Sequence, residues 1–252
     1  VLALKDIFKN KGKKVHICGL KDFCEPELSR FEIPEFDPYL RFSTQPNMIF
    51  SVRDEWKTEE DYVAALSKKY RDQYKRARKK ATGLVKRQLS LDEIIAQEDV
   101  IYDLYFHVAK SAPFNTFFLP KNHFAVFKEE LQENFLFYGY FENDKLICLN
   151  TLIKNGSDLD TYFLGYDDSI QREKMLYLNM LYDMIGYAIK EQFSSIIFAR
   201  TALEIKSSVG AKPLKMYGMM RHDNKFINSR LNFFFRYLEP EIKWTERHPF
   251  QD

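Results

Sequence analysis

The spacing of the hydrophobic residues changes at residue 135, and this change constrains the fold more than any other feature of the sequence. Three apolar runs follow one another from there, Phe135–Phe141, Leu146–Lys154 and Asp160–Tyr166. Short polar segments, Glu142–Lys145 (ENDK) and Asn155–Asp158 (NGSD), separate them and contain residues that favour tight turns. Three strands joined by such turns predict an antiparallel meander.

Segments with helical spacing flank this meander. The predicted helices are Thr58–Lys80, Leu91–Lys110, Asn122–Asn134, Glu173–Glu191, Thr201–Ser208 and Asn224–Tyr237. The other predicted strands are Val15–Gly19, Asn47–Val52, Ser195–Ala199 and Lys215–Arg221, with a proline-rich loop at Cys24–Pro46. Thr58, Ser90 and Thr201 are expected to cap their helices. This order predicts an α/β (α+β) fold: a mixed, mostly antiparallel sheet with helices on both faces.

Composition argues against several classes of protein. The net charge is only +2, which does not favour a nucleic-acid-binding protein. The longest apolar runs are far shorter than the ~20 residues of a membrane-spanning helix. Three dispersed cysteines, Cys18, Cys24 and Cys148, favour a reducing, cytoplasmic setting over a disulfide framework. The five histidines lack metal-ligand spacing, so no metal site is predicted.

The helix predicted at Thr58–Lys80 carries a dense positive charge. Eight of the thirteen residues from Lys68 to Lys80 are lysine or arginine, and they leave a stripe of tyrosine and alanine on another face. Such a basic face is either solvated or binds phosphate groups, as in coenzyme A, tRNA, a nucleotide-linked precursor or an anionic membrane. If an anion binds here, Arg71 is the preferred contact.

A second candidate site follows the strand predicted at Ser195–Ala199. Arg200–Pro213 (RTALEIKSSVGAKP) begins at the carboxyl end of that strand, where ligand sites are common. Glu204 and Lys206 belong to its short helix. A lysine here could neutralise negative charge on a tetrahedral intermediate or hold a phosphate. The alternative is that both side chains lie on a solvated helix surface.

The segment Ile205–Gly210 (IKSSVG) resembles the F-K-x-x-F-G element of Fem-type aminoacyltransferases and the equivalent stretch of BioF2-like acetyltransferases, within the GNAT superfamily. The basic helix resembles the opening helix of that family, and the meander lies between the two in the expected order. The resemblance covers roughly residues 56–215 and implies a GNAT-like fold. It also implies that Lys206 stabilises charge during acyl transfer. Ile205 and Val209 stand where the family has phenylalanine, so the resemblance does not extend to an aromatic contact with substrate.

The sequence leaves the acyl donor open. GNAT acetyltransferases bind the pyrophosphate of coenzyme A at a glycine-containing turn before a helix. The corresponding segment here, Asp167–Lys174 (DDSIQREK), has no glycine. Gln171 and Arg172 remain as side-chain donors to a cofactor such as acyl-CoA. An acyl carrier protein or an aminoacyl-tRNA is an alternative donor.

The resemblance implies an acyl- or aminoacyl-transferase in which an amine acceptor attacks the acyl carbonyl directly, without a covalent intermediate or a metal. Lys206 would offset charge on the oxyanion, and Glu204, Tyr162 or Tyr166 would accept the amine proton. Tyr162 and Tyr166 are four residues apart on one predicted strand, so they are expected to face the same side. Two alternatives stay open: a non-catalytic module that binds an anionic partner or surface through the basic helix 68–80, and a transferase fold without activity.

Two architectures are compatible with this order of elements. In the first, residues 1–52 form N-terminal strands and a proline-rich connector, the tail of a truncated first GNAT-like half, and residues 53–252 form the acyltransferase domain. In the second, the chain is a single domain that begins with a pair of strands.

Overall fold

The computed structural model describes residues 2–111, 115, 117–238 and 244–251. The chain divides into two compact units, a larger one of residues 48–212 and 246–252, and a smaller one of residues 1–47 and 213–245. The predicted division at residue 52, with its truncated first half, stays a prediction. None of the helices in the described residues is long and apolar enough to cross a lipid bilayer.

The elements are numbered in chain order. The helices are α1 (Leu2–Asn10), α2 (Glu59–Ala65), α3 (Lys68–Lys80), α4 (Leu91–Ala96), α5 (Glu98–Lys110), α6 (His123–Leu131), α7 (Asp168–Lys174), α8 (Leu176–Lys190), α9 (Leu203–Ser207) and α10 (Lys225–Leu238). The strands are β1 (Ile17–Phe23), β2 (Leu40–Ser51), β3 (Val85–Gln88), β4 (Phe135–Glu142), β5 (Lys145–Asn155), β6 (Asp158–Tyr166), β7 (Ser195–Ile197) and β8 (Lys212–His222).

In the smaller unit the strands lie in the order β1-β8-β2, and β1 pairs antiparallel with β8. Two predictions are corrected here. β1 begins at Ile17 and runs through Gly19, which was expected to end it. The expected loop Cys24–Pro46 contains two short 3-10 turns and the first residues of β2, which begins at Leu40. The alternation of half-buried and exposed residues from Leu40 onward is the strand signal that the prolines obscured.

The sheet of the larger unit has the order β2-β7-β6-β5-β4-β3. Strands β6 and β7 are parallel, and the other pairs with a known register are antiparallel. The predicted meander is confirmed as β4, β5 and β6. Asn143 and Asp144, with φ of 49° and 61°, form the two-residue turn between β4 and β5, and Gly156, with φ of 62°, lies between β5 and β6. Residues that tolerate a positive φ therefore form both turns and fix the pairing register of β4, β5 and β6 locally.

Helices cover both faces of this sheet. Leu149 of β5 packs in an apolar cluster with Ile101 of α5 and Phe124 of α6. The preceding residue, Cys148, contacts Met180 of α8, with the two sulfur atoms 3.2 Å apart. Because successive strand residues point to opposite faces, α5 and α6 lie on one face and α8 on the other. The predicted fold class is confirmed.

The long helix predicted at Thr58–Lys80 is two helices, α2 and α3, separated at Leu66. The C-terminal segment of the chain makes this break. The backbone N–H of Ser67 donates to Pro249 O (2.8 Å), and the N–H of Gln251 donates to Ala65 O (3.1 Å). These bonds satisfy backbone groups that a continuous helix would pair internally.

The other two long predicted helices also contain a break. Gln97 has φ of −111° and separates α4 from α5. Met175 is left-handed, with φ of 51°, and separates α7 from α8. The predicted caps at Thr58 and Ser90 are confirmed, because each side chain accepts a hydrogen bond from the backbone N–H three residues further on.

Candidate active site

The candidate site begins where two parallel strands separate. β6 and β7 pair over only three residues, Asp158–Asp160 against Ser195–Ile197. β7 then ends, whereas β6 continues to Tyr166 alongside β5. The Thr161 hydroxyl donates a hydrogen bond to Ile197 O (3.0 Å) at the point of separation. The gap lies beyond the carboxyl end of β7 and beside the second part of β6. Ligands commonly bind on this carboxyl side of parallel strands.

Two alanines in the left-handed region turn the chain from β7 into α9. Ala199 has φ of 60° and Ala202 has φ of 53°, a conformation that costs a non-glycine residue roughly 1–2 kcal/mol. The carbonyl of Phe198, just before this turn, accepts a hydrogen bond from Lys206 Nζ. The predicted cap at Thr201 is wrong, because Ala202 occupies the N-cap position of α9 and no side chain caps it.

A cavity of about 470 Å³ fills the gap. Four of the seven predicted site residues line it: Lys206, Tyr162, Tyr166 and Gln171. Its wall also contains polar residues that sequence reasoning missed, namely Tyr105, Asn115, Thr151, Thr161, Tyr177 and Thr201. These residues come from α5, β5, β6, α8 and two loops. No local pattern relates them, and only the fold brings them together.

Lys206 is buried in the wall of this cavity, with 4% of the residue exposed. Its Nζ donates to Phe198 O at the end of β7. Burial lowers the pKa of the Lys206 ammonium to about 7. The alternative that Lys206 lies on a solvated surface is therefore wrong. Near neutral pH the amine is divided between its protonated and neutral forms.

A β-bulge in β6 separates the two candidate tyrosines. β6 advances three residues, from Thr161 to Leu164, while β5 advances two. The prediction that Tyr162 and Tyr166 face the same side is therefore wrong, because the extra residue reverses the alternation. Tyr162 stacks on Phe127 of α6, whereas Tyr166 pairs with Cys148, the residue that contacts α8. Tyr162 and Tyr166 therefore line the cavity from different faces of the sheet.

Thr151 of β5 stabilises the bulge. Its hydroxyl donates to Phe163 O (2.8 Å) and accepts from the backbone N–H of Phe163 (2.9 Å). Thr151 is 1% exposed, so water does not reach these groups in its place. The buried Thr151 side chain therefore satisfies both the N–H and the C=O of Phe163, a residue of the cavity wall.

Replacing Thr151 with valine is expected to lower the free energy of unfolding by about 2 kcal/mol. Valine keeps the shape of the side chain but leaves the N–H and C=O of Phe163 buried without their partner. Urea unfolding followed by circular dichroism measures the loss. Thr201→Val, at an exposed threonine of the same cavity, is the control and is expected to change stability by less than about 0.5 kcal/mol. Equal losses in the two variants would contradict the role of Thr151.

Tyr162 is paired with a histidine that sequence reasoning did not assign to any site. Its hydroxyl lies 2.9 Å from Nε2 of His123, at the start of α6. Burial, with a smaller effect of Tyr105, raises the pKa of Tyr162, and burial lowers the pKa of His123. Both groups are therefore neutral near pH 7. A neutral imidazole in contact with a phenol in the cavity wall is a potential acceptor for a proton that the phenol relays.

The turn before α7 does not fit the pyrophosphate of coenzyme A. The Asp167 carboxylate accepts a hydrogen bond from the backbone N–H of Ser169 (2.9 Å) and caps α7 itself. The hydrogen bonds from Ser169 hold the pKa of Asp167 below its usual range. A carboxylate at this position repels a phosphate and uses a backbone donor that a phosphate would need. Gln171 of the same helix does reach the cavity.

Three predicted site residues lie outside the cavity wall. Glu204 forms an ion pair with Arg247, whose Nε is 3.1 Å from Oε1, and it lines a separate groove. Residues two apart on a helix do not share a face, and this separates Glu204 from Lys206. Arg172 is exposed, and Arg71 donates to Ala64 O (3.2 Å). Within the described residues, no three His, Cys, Asp or Glu side chains are arranged to hold a metal ion.

The basic face of α3 is smaller than the sequence indicates. The exposed members are Lys68, Lys69, Lys75, Arg76, Lys79 and Lys80. Arg78 instead forms ion pairs with Glu59 of α2 and Asp183 of α8. Part of the predicted anion-binding charge is therefore neutralised inside the protein.

No model of a known family matches the sequence, and no curated protein matches it. Solved structures share its fold. The C-terminal domain (DUF2156) of a putative lysylphosphatidylglycerol synthetase from Agrobacterium fabrum aligns with a TM-score of 0.61 and 8% identity, over 93% of this chain and 76% of that chain.

FemX aligns with a TM-score of 0.58 and 11% identity, over 95% of this chain and 79% of its own. A conserved protein of unknown function from Bacteroides thetaiotaomicron aligns with a TM-score of 0.59 and 16% identity, over 87% of this chain and 75% of that chain. At these identities the likeness concerns the fold. It confirms the Fem-like fold that the sequence resemblance implied.

Proposed function

We propose that this chain is an acyl- or aminoacyl-transferase that forms an amide on an amine acceptor. The observation that carries the proposal is Lys206, a buried lysine in the wall of a cavity between two separating parallel strands. The sequence resemblance predicted this residue and its role. The fold shared with FemX and the synthetase domain supports the same type of chemistry.

In the proposed reaction the amine attacks the acyl carbonyl directly. The cavity holds the two reactants together, and correct orientation alone supplies a large part of the acceleration. The protonated form of Lys206 offsets the negative charge that develops on the carbonyl oxygen. The new N–C bond forms, the bond from the acyl carbon to its carrier breaks, and the carrier leaves with the electron pair.

We assign proton transfer to Tyr162 and His123. As the amine loses its proton to the Tyr162 oxygen, the phenol passes its own proton to Nε2 of His123, 2.9 Å away. Glu204, the other predicted acceptor, is not retained, because its carboxylate is paired with Arg247 outside the cavity. Tyr166, which lines the cavity from the opposite face of the sheet, is proposed as a second contact to substrate.

The acyl donor is proposed to be a carrier that needs no pyrophosphate-binding site at the turn before α7. An acyl carrier protein or an aminoacyl-tRNA meets this condition, and both are anionic partners for the exposed lysines of α3. Acyl-CoA fits only if its pyrophosphate binds elsewhere. The free cysteines Cys18, Cys24 and Cys148 support a cytoplasmic setting for the reaction.

Lys206→Met is expected to lower the rate of amide formation about 100-fold, the effect of removing one oxyanion-stabilising group. The assay incubates the protein with acyl-CoA, acyl carrier protein thioesters and aminoacyl-tRNA in turn, with a panel of amines, and detects the amide by mass spectrometry. Because protonated Lys206 is the active form, its contribution should fall as pH rises through about 7. The Lys206→Met variant should lack this fall. Lys190→Met, at an exposed lysine of α8, is the control and should keep full activity.

A stability measurement separates burial of Lys206 from catalysis. Between pH 7 and 10.5 the unfolded chain holds the lysine proton and the folded chain does not, so the wild-type free energy of unfolding should rise with pH in this window. Lys206→Met should lack that rise. If the variant loses the pH-dependent stability but transfers acyl groups as fast as wild type, Lys206 is buried without being catalytic, and its proposed role in the transfer is contradicted.

A non-catalytic anion-binding module is the second candidate, favoured by the exposed cations of α3. It predicts binding of a polyanion that weakens steeply with added salt. It also predicts no amide product from any donor, which distinguishes it from the transferase.

A further inference from the structure

The cavity wall is mainly apolar around Lys206. Aliphatic side chains reach it from four parts of the larger unit: Val108, Ala109, Leu164, Leu181, Met184 and Ile205. Each methylene group that moves from water to such a wall gains about 0.8 kcal/mol. A hydrocarbon chain is therefore stabilised here.

The charge of the cavity wall disfavours binding of a cationic ligand. Among the described residues that line the cavity, Lys206 is the basic one, and none is Asp or Glu. The stretch 111–120, which contributes Asn115 and Phe117 to the wall, has no acidic residue in its sequence. The α-ammonium of an aminoacyl group would find no carboxylate partner at this wall and would face Lys206. An unpaired charge in such a place is strongly disfavoured.

Three of the oxygen atoms of the cavity wall already form hydrogen bonds within the protein. The Phe198 carbonyl accepts from Lys206 Nζ, and the Tyr105 hydroxyl accepts from the backbone N–H of Leu119 (3.1 Å). The Tyr162 hydroxyl is paired with His123. These three oxygen atoms therefore already take part in hydrogen bonds within the protein.

We propose that the acyl group held in this cavity is an uncharged hydrocarbon chain longer than acetyl, rather than an α-aminoacyl group. The inference rests on the proposed function, of which it names the substrate class. In the transfer, the acyl carbon exchanges its bond to the carrier sulfur for a bond to the amine nitrogen. The leaving thiolate takes up a proton. The chain is presented on the pantetheine arm that coenzyme A and acyl carrier protein share.

Binding of unreactive S-alkyl pantetheine thioethers tests this without turnover. Isothermal titration calorimetry compares chains from ethyl to decyl, each with and without an amino group next to the carbon that replaces the carbonyl. We expect Kd to fall about fourfold per methylene until the cavity is full. The amino-substituted probes should bind at least about tenfold more weakly than their neutral counterparts. The corresponding S-alkyl coenzyme A thioethers should bind no more tightly than the pantetheine ones if the carrier protein is the source, and more tightly if coenzyme A is.

Two matched variants, each replacing an alanine with phenylalanine, locate the bound hydrocarbon chain. Ala109→Phe narrows the cavity, so the gain in affinity should stop at a shorter chain, whereas Ala96→Phe, at an exposed alanine of α4, should leave the series unchanged. Circular dichroism of both variants confirms that they fold, and the wild-type series stands without them. A Kd independent of chain length, or tighter binding of the amino-substituted probes, overturns the inference. This result does not depend on the Lys206 assay, so failure of the acyl-site inference and failure of the proposed function are distinguishable.

Discussion

Replacing Arg78 with methionine is expected to lower the free energy of unfolding of the larger unit by about 3 kcal/mol, because two carboxylates lose their common partner. Arg78 of α3 pairs with Glu59 of α2 and with Asp183 of α8, the latter at 2.6 Å. Burial opposes its charge, but Asp183 and Glu59 outweigh burial and raise the pKa of Arg78. The residue therefore joins three helices through charges that are only partly open to water. Chemical denaturation at neutral pH measures the loss.

Two further variants make this prediction specific. Arg76→Met removes an exposed arginine from the same helix and is expected to change stability by less than about 0.5 kcal/mol. Adding Asp183→Asn to Arg78→Met removes one of the stranded charges and should restore part of the stability. If the Arg76 and Arg78 variants are equally stable, the ion pairs of Arg78 do not hold these helices together.

Gly165→Ala is expected to destabilise the larger unit by about 3 kcal/mol through overpacking. A Cβ at this position would lie 2.6 Å from backbone atoms of Leu104 and Tyr105 in α5. Backbone atoms of a packed helix cannot rotate away as the end of a side chain can, so α5 must shift from β6. Because Tyr105, Val108 and Ala109 line the cavity from α5, the variant should also weaken probe binding there. Thermal and urea unfolding, together with the calorimetry above, measure both effects.

Gly19→Ala is the control for this substitution. Gly19 is also a strand glycine, and the nearest atom to a Cβ there is the terminal methyl carbon of Met220 at 3.9 Å, an ordinary contact. We expect a change of less than about 0.5 kcal/mol. A Gly165→Ala protein as stable as wild type would show that the close approach of α5 to β6 does not constrain the cavity.

Much of the fold was predictable because its signals are local. Alternating apolar residues and positive-φ turn residues such as Asn143 and Gly156 define the meander within a few residues of one another. The caps at Thr58 and Ser90 act on backbone groups three residues away. Lys206 was singled out by its position after a predicted strand and by the resemblance of Ile205–Gly210 to a family motif. The helix break at Leu66 was not predictable, because Pro249 and Gln251 make it from the far end of the chain.

The sequence by itself determined the three-strand meander and the capped helix starts at Thr58 and Ser90, but not α1, β3 or the breaks within the long predicted helices. The meander and the caps depend on hydrogen bonds and hydrophobic spacing within one turn or one strand. Only the tertiary structure decided that Lys206 is buried and Glu204 is not, that a bulge turns Tyr162 away from Tyr166, and that His123 meets Tyr162. Burial, and the pKa values that follow from it, depend on which distant elements pack together, and no local pattern encodes that.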